Sequence, residues 1–511
     1  MLSFKKFLLQ ETIMTTPAIL SVRGHDFLDH LMSPMVGHDE SELKEEAGNQ
    51  KPKTTPLTIP NLLDHDAVTE KDNPEHMNRY LRLMEHGQRI ADEIGKQGPM
   101  RIKKGFQEYM DSLGIPDQQG MGHNGGPPLD DHEVEARRRV ALRAALNHFE
   151  EYRNQFYGYG KKSKVLGANT KIAKNEQEGE NSIGLSLAPY AMHGVPGHTN
   201  CANSTEECRN SCLGYTTGKN AMLSNINAKI ALTQYLIHHP KEFAAVLHHN
   251  MISHINQTAD YNNPAWHDAK IKRIEGQLKF TSLSGDKRKK LENEYLDALK
   301  AQQDQRNGKK YTAGFRMNVT SDYNINNLMG NLLKEVKKHA DKKGVDMKLR
   351  DYTKNAATLN KPRPDWSFLA LSHTGQNINQ KGEHHAESND REVGDALNNG
   401  HTVASIVRGD ATHFYDHKTK RFYPIVDGDK DDMIENRHKE AGHLPGQNGT
   451  GIDSETRRPT GVVSALRVKG ISDNVKEAAG NFENQTTNMI DPETHRPMRV
   501  VEINKPVSVR R

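Results

Sequence analysis

From about residue 161 the chain alternates short β-branched or apolar runs with longer stretches of helical spacing, and this alternation constrains its fold more than any other feature. The extended runs are "SIGLSLAPY" (182–190), "TAGFRMNVTSD" (312–322), "VDMKLRDYTK" (345–354), "WSFLALSHTG" (366–375), "TVASIVRGD" (402–410), "FYPIVDGD" (422–429) and "GVVSALRVKG" (461–470). Helical patterns such as "GKNAMLSNINAKIALTQYLIHH", "NINNLMGNLLKEVKKHADKKG" and "REVGDALNNG" separate several of them. Strand, helix, strand order predicts an α/β fold with parallel packing, either a β/α-barrel-like closure, complete or incomplete, or an open doubly wound sheet.

Three regions follow from this reading. Residues 1–160 form a helical, partly disordered N-terminal extension, with Gly/Pro punctuation in "QGMGHNGGPPLDDHE" before a helix in "DHEVEARRRVALRAALNHFEEYRNQFYG". Residues 161–475 form the β/α domain, and its lysine-rich insert at about 264–310 reads as a solvated helical hairpin. Residues 476–511 are a C-terminal tail or edge strand. The low hydrophobic share of 34% fits a chain with much linker and solvated helix. Lys and Arg (70) nearly balance Asp and Glu (66), so nucleic-acid binding is allowed but not signalled. No segment approaches the apolar run of a membrane-spanning helix, and no membrane partner is expected.

Polar side chains collect where the expected strands end. Asn318, Thr320, Ser321 and Asp322 close the second, Arg350, Asp351, Tyr352 and Lys354 the third, Ser372 and His373 the fourth, Arg408 and Asp410 the fifth, and Asp427, Asp429, Asp431 and Asp432 the sixth. In parallel β/α folds the loops at the carboxyl ends of strands converge on one face and build the active site. Asn318, Ser321, Asp322, Asp351, Lys354 and Arg408 are therefore the candidate catalytic residues, with turn formation the competing reading of any one of them.

All three cysteines fall within "HTNCANSTEECRNSCLG" (198–214): Cys201, six residues, Cys208, three residues, Cys212. An odd number this close together argues against a disulfide framework and for a reducing cytosol. On a loop entering a helix, the spacing allows three thiolates to converge on one soft metal, helped by the helix N-terminus. Two chemistries fit: a zinc ion completed by His193 or His198, or an iron-sulfur cluster with one iron left open.

The motifs "NTKIAKN", "GLSLAPY", "NCANSTEECRNSCLG", "RMNVTSDYN", "DYTKN", "LALSHTGQN", "IVRGD", "VDGDKDD" and "ALRVKG", in this order over about 165–470, resemble the phage "gene product 88" domain family. That resemblance implies a bacteriophage protein in the host cytoplasm and assigns no reaction. In architecture, a three-cysteine loop after the first strand of a barrel is similar to the radical S-adenosylmethionine enzymes, whose methionine moiety chelates the open iron. This second resemblance implies a [4Fe-4S] cluster on Cys201, Cys208 and Cys212, S-adenosylmethionine contacts from Asn318, Ser321 and Asp322, and radical chemistry on an unknown substrate. The gaps of six and three residues are longer than that superfamily's, and "NVTSD" stands where it carries Gly-Gly-Glu. The alternative is a non-enzymatic binding or structural protein whose zinc site, three cysteines and a histidine, staples the loop. "VDGDKDDM" has only part of a calcium loop's ligands, and His413 and His417 in "HFYDH" read as loop residues.

Overall fold

In the computed structural model, which describes residues 74–95, 97–115, 129–156, 164–168, 172, 174–205, 208–209, 212–216, 220, 222–279, 284–375, 388–407, 410–446, 450–466, 486–490, 495 and 497–505, every expected extended run carries a strand. These are β2 (Glu180–Leu185), β3 (Thr312–Arg316), β4 (Met347–Thr353), β5 (Ser367–Ser372), β6 (Thr402–Ile406), β8 (Arg421–Asp427) and β11 (Val462–Leu466). With β1 (Leu166–Gly167), β7 (His413–Asp416), β12 (Thr487–Ile490) and β13 (Pro497–Ile503) they form an 11-stranded sheet of order β1-β2-β3-β4-β5-β6-β11-β8-β7-β13-β12. A separate two-stranded sheet joins β9 (Leu444–Pro445) to β10 (Gly451–Ile452).

Strands β2 to β6 lie side by side in chain order and pair in parallel. β11 continues the parallel run between β6 and β8. One edge ends in β1, antiparallel to β2, and the other in β12, antiparallel to β13. Among the described residues no pairing joins these edges, so the architecture is a mixed α/β fold with one large sheet and not a closed barrel. The expectation of a complete barrel closure is corrected accordingly. A second correction concerns His413 and His417: "HFYDH" is not a loop, because residues 413–416 pair with β8 as a hairpin and with β13.

The helices are α1 (Pro74–Ile94), α2 (Gly98–Ser112), α3 (Asp131–Phe156), α4 (Leu213–Thr216), α5 (Leu223–His238), α6 (Pro240–Tyr261), α7 (Pro264–Leu278), α8 (Gly285–Arg306), α9 (Ile325–Lys342), α10 (Ala356–Leu359), α11 (Asp390–Asn398) and α12 (Asn436–Glu440). α9 shows why such segments become helices: Ile325, Leu328, Met329, Leu332, Leu333, Val336 and Ala340 recur every three or four residues and are buried. Asn324 starts the helix by accepting the Asn327 N–H. Leu83, Phe106 and Phe149 of α1, α2 and α3 share one apolar core with Tyr235, Phe243, Leu332 and the Phe315 and Leu349 side of the sheet. Arg101 of α2 also donates to the Ile237 and His238 carbonyls at the C-terminal end of α5. The insert forms the α7–α8 pair, with its own small core of Ile271, Ile274 and Ala298. A second core, including Leu371, Val403, Phe414, Tyr423 and Val463, holds the other half of the sheet. Among the described residues no helix is long and apolar enough to cross a membrane.

Candidate site at the carboxyl ends of the strands

Alternation along β4 places Met347, Leu349, Asp351 and Thr353 on one face and Lys348, Arg350 and Tyr352 on the other, with Lys354 next in register. Met347 and Leu349 enter the apolar core. The opposite face is polar. Arg350 is buried and binds Glu180 of β2 and, through two nitrogens, Glu435, with one of those contacts at 2.7 Å. Lys348 reaches the same Glu435 at 3.2 Å. Burial alone would raise the Glu435 carboxyl; Arg350 and Lys348 instead hold it at about 2.

Next along this face, Arg316 of β3 bonds Asp432 at 2.6 Å and lies 4.7 Å from the centre of the Tyr352 ring, whose hydroxyl donates to Asp432. Asn175 donates to Glu180 and Ser182 and accepts the Asp432 N–H. Gly314 is required here, since a Cβ on it would lie 2.1 Å from the Glu180 carboxylate. Asp431 and Asp432 of "VDGDKDD" are thus counter-ions, Asp431 to Arg437 at 2.5 Å and Asp432 to Arg316. None of this network was expected as a unit. Its signal was the period-two polarity of "MKLRDYTK" in a parallel strand, where both faces are normally apolar.

The polar face opens at its carboxyl end. Lys354, Asp322, Cys201, Cys208 and Cys212 all keep part of their surface open. Burial works against the Lys354 charge, but Cys208, which hydrogen-bonds it, and Asp322 hold its pKa above the usual range. Asp322 Oδ2 accepts the Lys354 backbone N–H at 3.0 Å, while Oδ1 is buried with no partner among the described residues. Burial raises the Asp322 carboxyl, and Lys354 opposes that rise. Tyr190 sits in left-handed backbone at φ 48°, which aims its N–H at Cys201 Sγ, 3.4 Å away. Arg209 lies 4.9 Å from the Tyr190 ring centre.

The remaining expected residues shape this opening. Asn318 ends β3 early, because its Oδ1 accepts from Ser321 Oγ and the Tyr323 N–H while its Nδ2 donates to the Tyr323 carbonyl. Asp351 accepts the Asn318 N–H at 2.7 Å, and burial pushes its carboxyl up to about 7. Tyr323 reaches Asn200 of the cysteine loop. The structure therefore brings Asn318, Ser321, Asp322, Asp351 and Lys354 onto adjoining strand ends. Arg408 lies outside the described residues.

The expected metal centre is overturned. Among the described residues, no group of three or more His, Cys, Asp or Glu side chains could hold a metal ion. The Lys354 ammonium lies beside these thiols and is hydrogen-bonded to Cys208. Burial pushes the Cys201 thiol up to about 11 and the Cys212 thiol up to about 12. His193 and His198 face the helical layer: His193 Nδ1 accepts the Val195 N–H, and the His198 ring lies where a Gly98 Cβ would go. The [4Fe-4S] cluster with S-adenosylmethionine, the zinc staple and the radical-type enzyme all fall with that centre.

Comparison with family models, curated proteins and solved structures finds no match. It gives the gene product 88 resemblance and the phage origin no support, and that resemblance rests on its ordered motifs alone.

Proposed function

We propose that the protein binds a small anionic molecule in the opening at the carboxyl ends of β2, β3 and β4. The observation that carries this reading is Lys354, a cation held beside Cys208 and Asp322 on a partly open surface. Its ammonium suits the ligand's negative group. Asn318, Ser321 and Asp351 act as positioning residues that fix the β3 loop. Two further readings accompany it. The unbroken chain order of β2 to β6 supports an incomplete barrel, and three free thiols support a reducing, cytosolic setting.

The test is calorimetric titration with inorganic phosphate and with citrate. At least one should give saturable heat in the wild-type protein that Lys354→Met loses. Heat unchanged by that substitution, or none from either anion, contradicts the proposal.

A further inference from the structure

The chain's near balance of 70 basic and 66 acidic residues hides a local excess. A groove of about 490 Å³ runs between α9 and the segment leading into β5, where Pro364 and Trp366 form its wall. Lys334, Lys337, Lys338 and Lys342 line it, against a single lining acid, Asp341. Asp341 pairs with Lys337, and Asp131 bridges Lys338 and Lys342 from outside the lining. Lys334 is exposed and makes no ion pair among the described residues. These positions repeat at three- and four-residue spacing, so the lysines form one stripe about 12 Å long on the outer side of α9. The stripe is the side of α9 that does not enter the core, so packing does not require it to be basic.

Trp366 gives the groove its second character. It is half-buried against the apolar core and shares the groove wall with Pro364. A cationic stripe beside an indole is the combination that holds single strands: lysines track the phosphates, and a base stacks on the aromatic face.

We infer that this groove binds single-stranded nucleic acid, with phosphates on Lys334 and Lys338 and a base against Trp366. The site is separate from the Lys354 opening, and neither reading depends on the other.

The chain has two tryptophans, so Trp266→Phe leaves Trp366 as the only indole reporter. Titration of that variant with an oligothymidylate of about 12 nucleotides at low salt should quench its fluorescence. Adding Lys334→Gln and Lys338→Gln should weaken binding roughly tenfold, and two phosphate contacts predict a log K against log salt slope of about −1.4. Fluorescence anisotropy of a labelled oligothymidylate with the unmodified protein, and with Lys334→Gln/Lys338→Gln alone, checks the same affinities independently of Trp266. Absent binding, binding unchanged by the lysine substitutions, or equal binding of inorganic polyphosphate overturns the assignment.

Discussion

The two faces of β4 are built on opposite terms. Met347 and Leu349 need only apolar neighbours, and burial of each such side chain stabilises by about 1.5–3 kcal/mol. Lys348, Arg350 and Tyr352 need specific partners, which arrive from β2, β3 and residues 428–440. A buried ion pair adds little net stability, yet it penalises any arrangement that leaves one charge alone. The polar face therefore works as a register lock: it accepts the 428–440 segment in one position. Lys354 is where that lock gives way to an open surface.

The two faces differ most at Arg350. Arg350→Met strands Glu180 and leaves Glu435 with Lys348 as its remaining cation, at a cost of about 3–5 kcal/mol in urea unfolding. Leu349→Ala should cost a similar 2–5 kcal/mol, roughly, by leaving a cavity. The two should differ in repair. Glu180→Gln recovers part of the loss in the Arg350→Met background and none in the Leu349→Ala background; equal behaviour in both would show the faces to be alike. Gly314→Ala, which drives a methyl into the pinned Glu180, should cost roughly 1–3 kcal/mol.

The helical side adds an effect that depends on pH. Burial lowers His248 to about 3 and His254 to about 4. Both folded-state values lie below the unfolded value of about 6.5, so their contribution is complete above that pH and is lost as pH falls toward the folded values. Asp351 has the opposite sign: raised to about 7, its contribution is present below the ordinary carboxylate range and disappears as pH rises through 7. His248→Gln should reduce the loss of stability between pH 6.5 and 4 by up to about 1.4 kcal/mol per pH unit. An unchanged slope in urea melts across that window would remove His248 from the account.

Much of the sheet was legible in the sequence because β-branched runs and helical spacing are local signals. All seven expected runs became strands, trimmed where a side chain organises the loop, as Asn318 does after Arg316. β7 was missed because His413 and Asp416 disguise a strand whose partners, β8 and β13, are set by tertiary pairing. The strand-end cluster was legible as residue types at the right places. Its chemistry was not: three cysteines within one loop suggest a metal, and only the fold puts Lys354, more than a hundred residues later, among them. The Glu180–Arg350–Glu435 network joins segments so far apart that spacing carries no trace of it.

At its Lys354 end this polar face is partly open and reads negative charge, whereas at the Lys348 end, also partly exposed, the cation is taken up by Glu435. Site-resolved alkylation of Cys208 by iodoacetate and by the neutral iodoacetamide measures this directly. The rate ratio, anionic over neutral, should fall roughly tenfold in Lys354→Met, the size of one screened charge at contact range, and stay unchanged in Lys348→Met. A ratio that is the same in wild type and Lys354→Met would contradict the account.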